Sequence, residues 1–162
     1  LRLAFYVAFQ KRRADEKYFD YIRRLWLDWL IACLSVGKYS HVEIVIGNKW
    51  FSVSPRTNSS QYRKIKPRPE SWDYIDLNLS KDEECIVLDE IEKYMGMKYD
   101  YTGAITSVTP ICIQAEHKVF CSEVCANIIR KTKTYSFLSK GCKYSPSALF
   151  NDIMKHVRKK NG

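Results

Sequence analysis

The sequence predicts a single α+β domain, its strands mostly ahead of its best helices. Three stretches carry that expectation. "RLAFYVAF" is a run rich in apolar and aromatic residues, as a buried strand requires. "HVEIVIGNKWFSVSP" places alternating residues on both sides of a Gly-Asn turn, the pattern of a β-hairpin. "VFCSEVCANIIRK" repeats its apolar residues at helical spacing. The chain has 162 residues, long enough to bury a core without staples.

Each element follows in order. The first strand, near the start of the chain, lacks the small-residue cleavage site of a signal peptide. From Ala14 to about Leu34, Tyr18, Tyr21, Ile22, Leu25, Trp26, Trp29, Leu30 and Cys33 recur on one helical face, with Gly37 as a stop. This segment, about 14–36, reads as a helical elaboration on the domain 1–162. In the hairpin, Val42, Ile44 and Ile46 share one face. A two-residue turn at Gly47-Asn48 makes paired residue numbers sum to 95, opposing Ser54 to His41 and Ser52 to Glu43, whereas a three-residue turn that includes Lys49 shifts the register by one and removes that pairing. "RTNSSQYRKIKPRPE" is expected to be a long polar loop, and "WDYIDLNL" a strand. "SKDEECIVLDEIEKYMG" is a helix with Ser80 as its cap, Glu83 at the capping-box position and Gly96 at its close. "MKYDYTGAITSVTPICI" suits a short helix followed by a strand or loop broken at Pro110. A final helix starts at Pro146.

No apolar run reaches the length of a membrane span. No glycine-rich phosphate loop and no HExxH helix are present. The net charge of +9 attracts nucleic acid, anionic lipid or an acidic protein without choosing among them. Arg63, Lys64 and Lys66 of "QYRKIK" are the candidate binding residues for that class. Six cysteines at irregular spacing suggest reduced thiols and a cytoplasmic protein.

A thiol nucleophile needs a lowered pKa, a base within reach and donors for the oxyanion. Cys121 stands at the expected start of a helix, where the dipole and free amides favour a thiolate. His41 opens an otherwise largely apolar strand and is the best-placed base of the three histidines. Cys125, one turn deeper, reads as buried and inert. Ser54 is the candidate that orients His41; Glu43 shares the face of His41 two residues on and Glu123 sits two after Cys121, and solvated surface charges account for both equally well. The Cys121 amide, with the Gln114 side chain, is the expected oxyanion donor. Cys121, Cys125 and His41 have the wrong spacing for a structural zinc site, so neither metal nor cofactor is expected.

The order of a strand histidine, a hairpin and a later cysteine helix resembles the circularly permuted NlpC/P60 proteins of the papain-like superfamily. Small phage-encoded members are the nearest likeness. "YSHVEIVI", "FSVSPR", "WDYIDL", "KYDYTGA", "FCSEVCA" and "SPSAL" carry it, in the same order, over residues 39–149. The resemblance implies an antiparallel sheet packed on the cysteine helix, with Cys121 as nucleophile and His41 as base. It implies a cysteine hydrolase or acyltransferase acting on a peptide, peptidoglycan or acyl substrate, in the host cytoplasm or from a virion. Many permuted relatives carry an acid or amide on the second hairpin strand, where this chain reads "WFSVS". The competing expectation is an inactive basic module that binds nucleic acid or an acidic host protein.

Overall fold

The computed structural model describes residues 1–8, 17–19, 21–22, 37–107 and 117–161. Among these the fold is mixed α+β, built on a seven-stranded sheet. The strands are β1 (Arg2–Val7), β2 (Tyr39–Ile46), β3 (Lys49–Ser54), β4 (Ser59–Arg63), β5 (Trp72–Asp76), β6 (Lys98–Tyr99) and β7 (Lys118–Val119). Their order across the sheet is β5-β1-β2-β3-β4-β6-β7, antiparallel except for the β6–β7 pair. The helices are α1 (Lys81–Tyr94), α2 (Tyr101–Thr106), α3 (Cys121–Ile129) and α4 (Pro146–Asn161). Of the expected helix at 14–36, Tyr18, Phe19, Tyr21 and Ile22 are helical. The rest of it lies outside the described residues, as does the stretch around Pro110.

Alternation along β1, β2 and β3 divides the apolar residues between two faces. Leu3, Phe5, Val42, Ile44, Phe51 and Val53 face α3 and α4 and form the main core with Val124, Ile128, Leu149 and Ile153. The opposite face carries a smaller cluster of Ala4, Val45 and Trp50, joined by Trp72. Trp72 meets Trp50 edge-on, with ring centroids 5.0 Å apart.

The hairpin has the expected register: Ile44 pairs with Phe51, Val45 with Trp50 and Ile46 with Lys49, each summing to 95. Gly47 takes φ +57° in the turn, a left-handed conformation that glycine adopts without steric cost. α1 begins with the expected capping box between Ser80 and Glu83, and Gly96 follows its end at φ +78°.

Part of the expected polar loop is a strand. Ser59–Arg63 pairs with β3 from Ser54–Ser59 to Trp50–Arg63. Its polar side chains hide it, because β4 is held by the backbone ladder more than by apolar burial. The turn before it is organised by Ser54, whose hydroxyl accepts from the Arg56 N–H at 3.1 Å, and by Asn58 at φ +50°.

The thiols are not uniformly reduced. Cys85, Cys121 and Cys125 are free, whereas Cys142 is disulfide-bonded. No described helix is long and apolar enough to cross a membrane.

Candidate active site

Three pieces of backbone bring the site together. The β1–β2 ladder is regular as far as Tyr6–His41, then shifts so that Val7 pairs with Tyr39 and Ser40 becomes the extra residue of a bulge. A bulge twists its strand and re-aims the adjacent side chain. His41, immediately beyond it, touches both its own strand and α3. The mouth of β2 is held from α4, where Ser147 Oγ accepts from the Tyr39 N–H at 3.0 Å.

α3 supplies the candidate nucleophile. Its first residue is Cys121, preceded by extended Phe120. The Phe120 N–H donates to Glu123 Oε2 at 3.3 Å, so Glu123 is a buried cap of this helix and not a solvated charge. At its buried face Ser122 Oγ donates to the Tyr144 carbonyl at 2.6 Å. Cys125 is fully buried against β2, 3.8 Å from the Val42 carbonyl oxygen.

His41 and Cys121, 80 residues apart in sequence, lie close enough for each to shift the other's titration. Burial raises the Cys121 pKa, but the His41 charge and hydrogen bond, with the backbone N–H groups of Val42 and Ser122, bring it below that of an ordinary thiol. Burial disfavours the His41 imidazolium, yet Cys121 and then Glu43 raise its pKa to about 9. Both shifts favour a thiolate–imidazolium pair.

Comparison of the chain with family models, with curated proteins and with solved structures finds no match. The chemistry of the site therefore rests on its own geometry.

The group that orients His41 is Glu43. His41 Nε2 donates to Glu43 Oε1 at 3.0 Å, and the Glu43 side chain has no solvent exposure. Since Nε2 is engaged there, Nδ1 is the ring nitrogen left for Cys121. Ser52 Oγ gives its proton to the Val42 carbonyl at 3.0 Å and turns its lone pairs toward the same Nε2 at 3.4 Å. Ser54 serves the turn into β4 instead, because the β2–β3 pairing ends at Ile44–Phe51 and the strands do not carry the register as far as residue 41. Gln114 lies outside the described residues.

Arg63, expected on a binding surface, turns inward and donates through one Nη to Glu43 Oε1. Lys64 and Lys66 are exposed. Burial works against the Glu43 carboxylate, but His41 and Arg63 together keep its pKa below the usual range. The sequence places Glu43 on the His41 face but leaves it open to a solvated role, and Ser54 stands ahead of it there. Its register partner on β1 is Ala4, and that small side chain leaves room for a carboxylate in the sheet face. A His-x-Glu spacing facing an alanine was the available signal.

The described residues contain no cluster of histidine, cysteine and carboxylate suited to a metal ion. Beside the thiol, Tyr99 is 4% exposed and feels the Cys121 charge, with Tyr101 edge-on to it at 4.9 Å.

Proposed function

We propose that the protein is a cysteine hydrolase or acyltransferase of the permuted papain-like type, acting through Cys121, His41 and Glu43. The observation that carries this reading is the pairing of buried Cys121 with His41, which lowers the thiol pKa and raises the imidazole pKa, while Glu43 holds the ring by a hydrogen bond.

In the reaction, the Cys121 thiolate attacks the carbonyl carbon of an amide or ester. The oxyanion meets the Cys121 N–H, which helix geometry leaves without an intrahelical acceptor. As the bond to the leaving group breaks, His41 Nδ1 gives that group its proton, and a thioester remains. Water or another acceptor then loses a proton to Nδ1 and attacks the thioester. The C–S bond breaks, and the thiolate–imidazolium pair is restored. Glu43 holds the ring through Nε2 in both halves of the cycle.

A peptide or peptidoglycan stem peptide is the substrate class we favour. The disulfide at Cys142 suits the oxidising surroundings of a virion or cell surface better than the cytosol. The second reading, a basic module binding nucleic acid or an acidic host protein, draws on exposed Lys64 and Lys66. It predicts binding that weakens steeply with salt and survives Cys121→Ala.

An activated acyl ester tests the leading reading. Mass spectrometry is expected to find the acyl group on Cys121 in the native protein and none in His41→Ala at neutral pH. Acylation spread equally over Cys85 and Cys121 would contradict it.

A further inference from the structure

Glu43 is an unusual place for a charge. Its side chain has no exposure, while those of its two cationic partners are 18% and 26% exposed for His41 and Arg63. Both cations bond the same oxygen, Oε1. Oε2 is buried without a partner, and so is Arg63 Nε. A carboxylate in that position is costly unless a positive charge stands beside it. His41 is one such charge, but only while it is protonated.

We propose that Arg63 is a positioning residue of this site, the permanent cation that keeps Glu43 a carboxylate through both protonation states of His41 and thereby supports the resting Cys121 thiolate. The proposal rests on the cysteine-enzyme reading above and adds a residue that touches neither sulfur nor substrate.

Counting charge gives the reason. With Cys121 as thiolate, His41 protonated, Glu43 ionised and Arg63 charged, the four groups sum to zero. The other titratable groups facing them, Cys125 from α3 and Tyr99 from β6, are pushed up by burial and stay neutral. Once His41 has passed its proton to a leaving group, the acyl-enzyme holds only Glu43 and Arg63 charged, again summing to zero. Without Arg63 the site carries an excess negative charge at both stages. A buried site in that condition takes up a proton, either on the thiolate or on Glu43. The polar strand β4 exists, on this account, to deliver that cation: its last residue pairs with Trp50 on the face that carries Glu43.

The test is the rate at which iodoacetamide alkylates Cys121, read by peptide mass spectrometry across pH, in wild type, Arg63→Met and Arg63→Lys. Arg63→Met is expected to move the acidic limb up by about one pH unit, so that labelling near pH 6 slows about ten-fold. At alkaline pH the two rates converge. Arg63→Lys keeps the charge and is expected to keep the wild-type limb. An unmoved limb in Arg63→Met overturns the proposal, and so does a Lys variant displaced as far as the Met variant. Should Arg63→Met not fold by circular dichroism, Arg63→Gln replaces it, since it retains a donor and loses the charge; the same displacement is expected and its absence overturns the proposal. Failure of the underlying reading looks different: wild-type Cys121 would then titrate as an ordinary thiol before any change at Arg63.

Discussion

Glu43 stands two residues beyond His41 on the same strand, and its Oε1 accepts from His41 Nε2 at 3.0 Å from a fully buried position. Adjacent residues on one strand face hold the imidazole from behind, and a third, Cys121, meets it from the helix.

Replacing Glu43 by Gln keeps the shape and removes the charge. His41 then loses a cause of its raised pKa, which falls from about 9 toward the ordinary 6.5. An NMR titration of the His41 ring reads this directly. Acyl transfer is expected to drop roughly 100-fold, a typical loss for a misdirected general base. The alkaline edge of activity moves to lower pH, whereas removal of Arg63 moves the acidic edge. The stability sign follows from the same shift. A raised histidine pKa stabilises the fold fully below about 6.5 and loses that contribution as pH rises through about 9. The Gln variant loses less stability than wild type across that window in urea unfolding.

Gly103 ties the position of the nucleophile to the α2 turn. A Cβ there would lie 2.6 Å from Asp100 Oδ2 and 3.1 Å from the Phe120 ring. Asp100 is buried, caps α2 through the Gly103 N–H at 2.9 Å, and is pinned by its own N–H to the Val119 carbonyl at 2.8 Å. Phe120 is buried and directly precedes Cys121. Gly103→Ala is therefore expected to cost about 1–3 kcal/mol and to slow Cys121 alkylation, because the strain falls on the residue that starts α3. Unchanged stability and labelling would show that the turn gives way elsewhere.

Glu83 links α1 to the segment after α3. Its Oε1 accepts from the Thr134 N–H at 2.8 Å and its Oε2 from the Ser80 N–H at 3.1 Å. Those backbone donors, Thr134 first, lower its pKa to about 2. A lowered carboxylate pKa gives stability that is complete above the ordinary 4.5 and fades as pH falls toward 2. Glu83→Gln is expected to cost about 1 kcal/mol at neutral pH, the usual value of a cap. The gap from wild type should narrow as pH falls from about 4.5 to 2 in urea unfolding; a gap undiminished at pH 2 would contradict the assignment.

The sequence made the hairpin legible because register there depends on local chemistry: a Gly-Asn turn and alternation on both sides. Cys121 and His41 were legible for a similar reason, one at a helix start and the other at a strand start. Glu43 was not, since alternation alone cannot tell a solvated carboxylate from one covered by a distant strand. Its burial depends on Ala4 of β1 and Arg63 of β4, which approach only in the folded sheet. β4 escaped because its ladder is written in backbone groups that every residue carries. Ser54 was misjudged by extending a correct register past the point where the two strands stop pairing.

The central claim is that Cys121 is a thiolate because His41 is protonated beside it. Iodoacetamide labelling near pH 6 of Cys121 and Cys125 in one sample, with and without His41→Ala, measures it. Burial drives the Cys125 pKa well above that of an ordinary thiol, so Cys125 serves as the internal reference. The account predicts that Cys121 reacts at least about 100-fold faster than Cys125 in the native protein and loses most of that advantage in His41→Ala. Equal reactivity of the two thiols, or a Cys121 rate indifferent to His41, would contradict it.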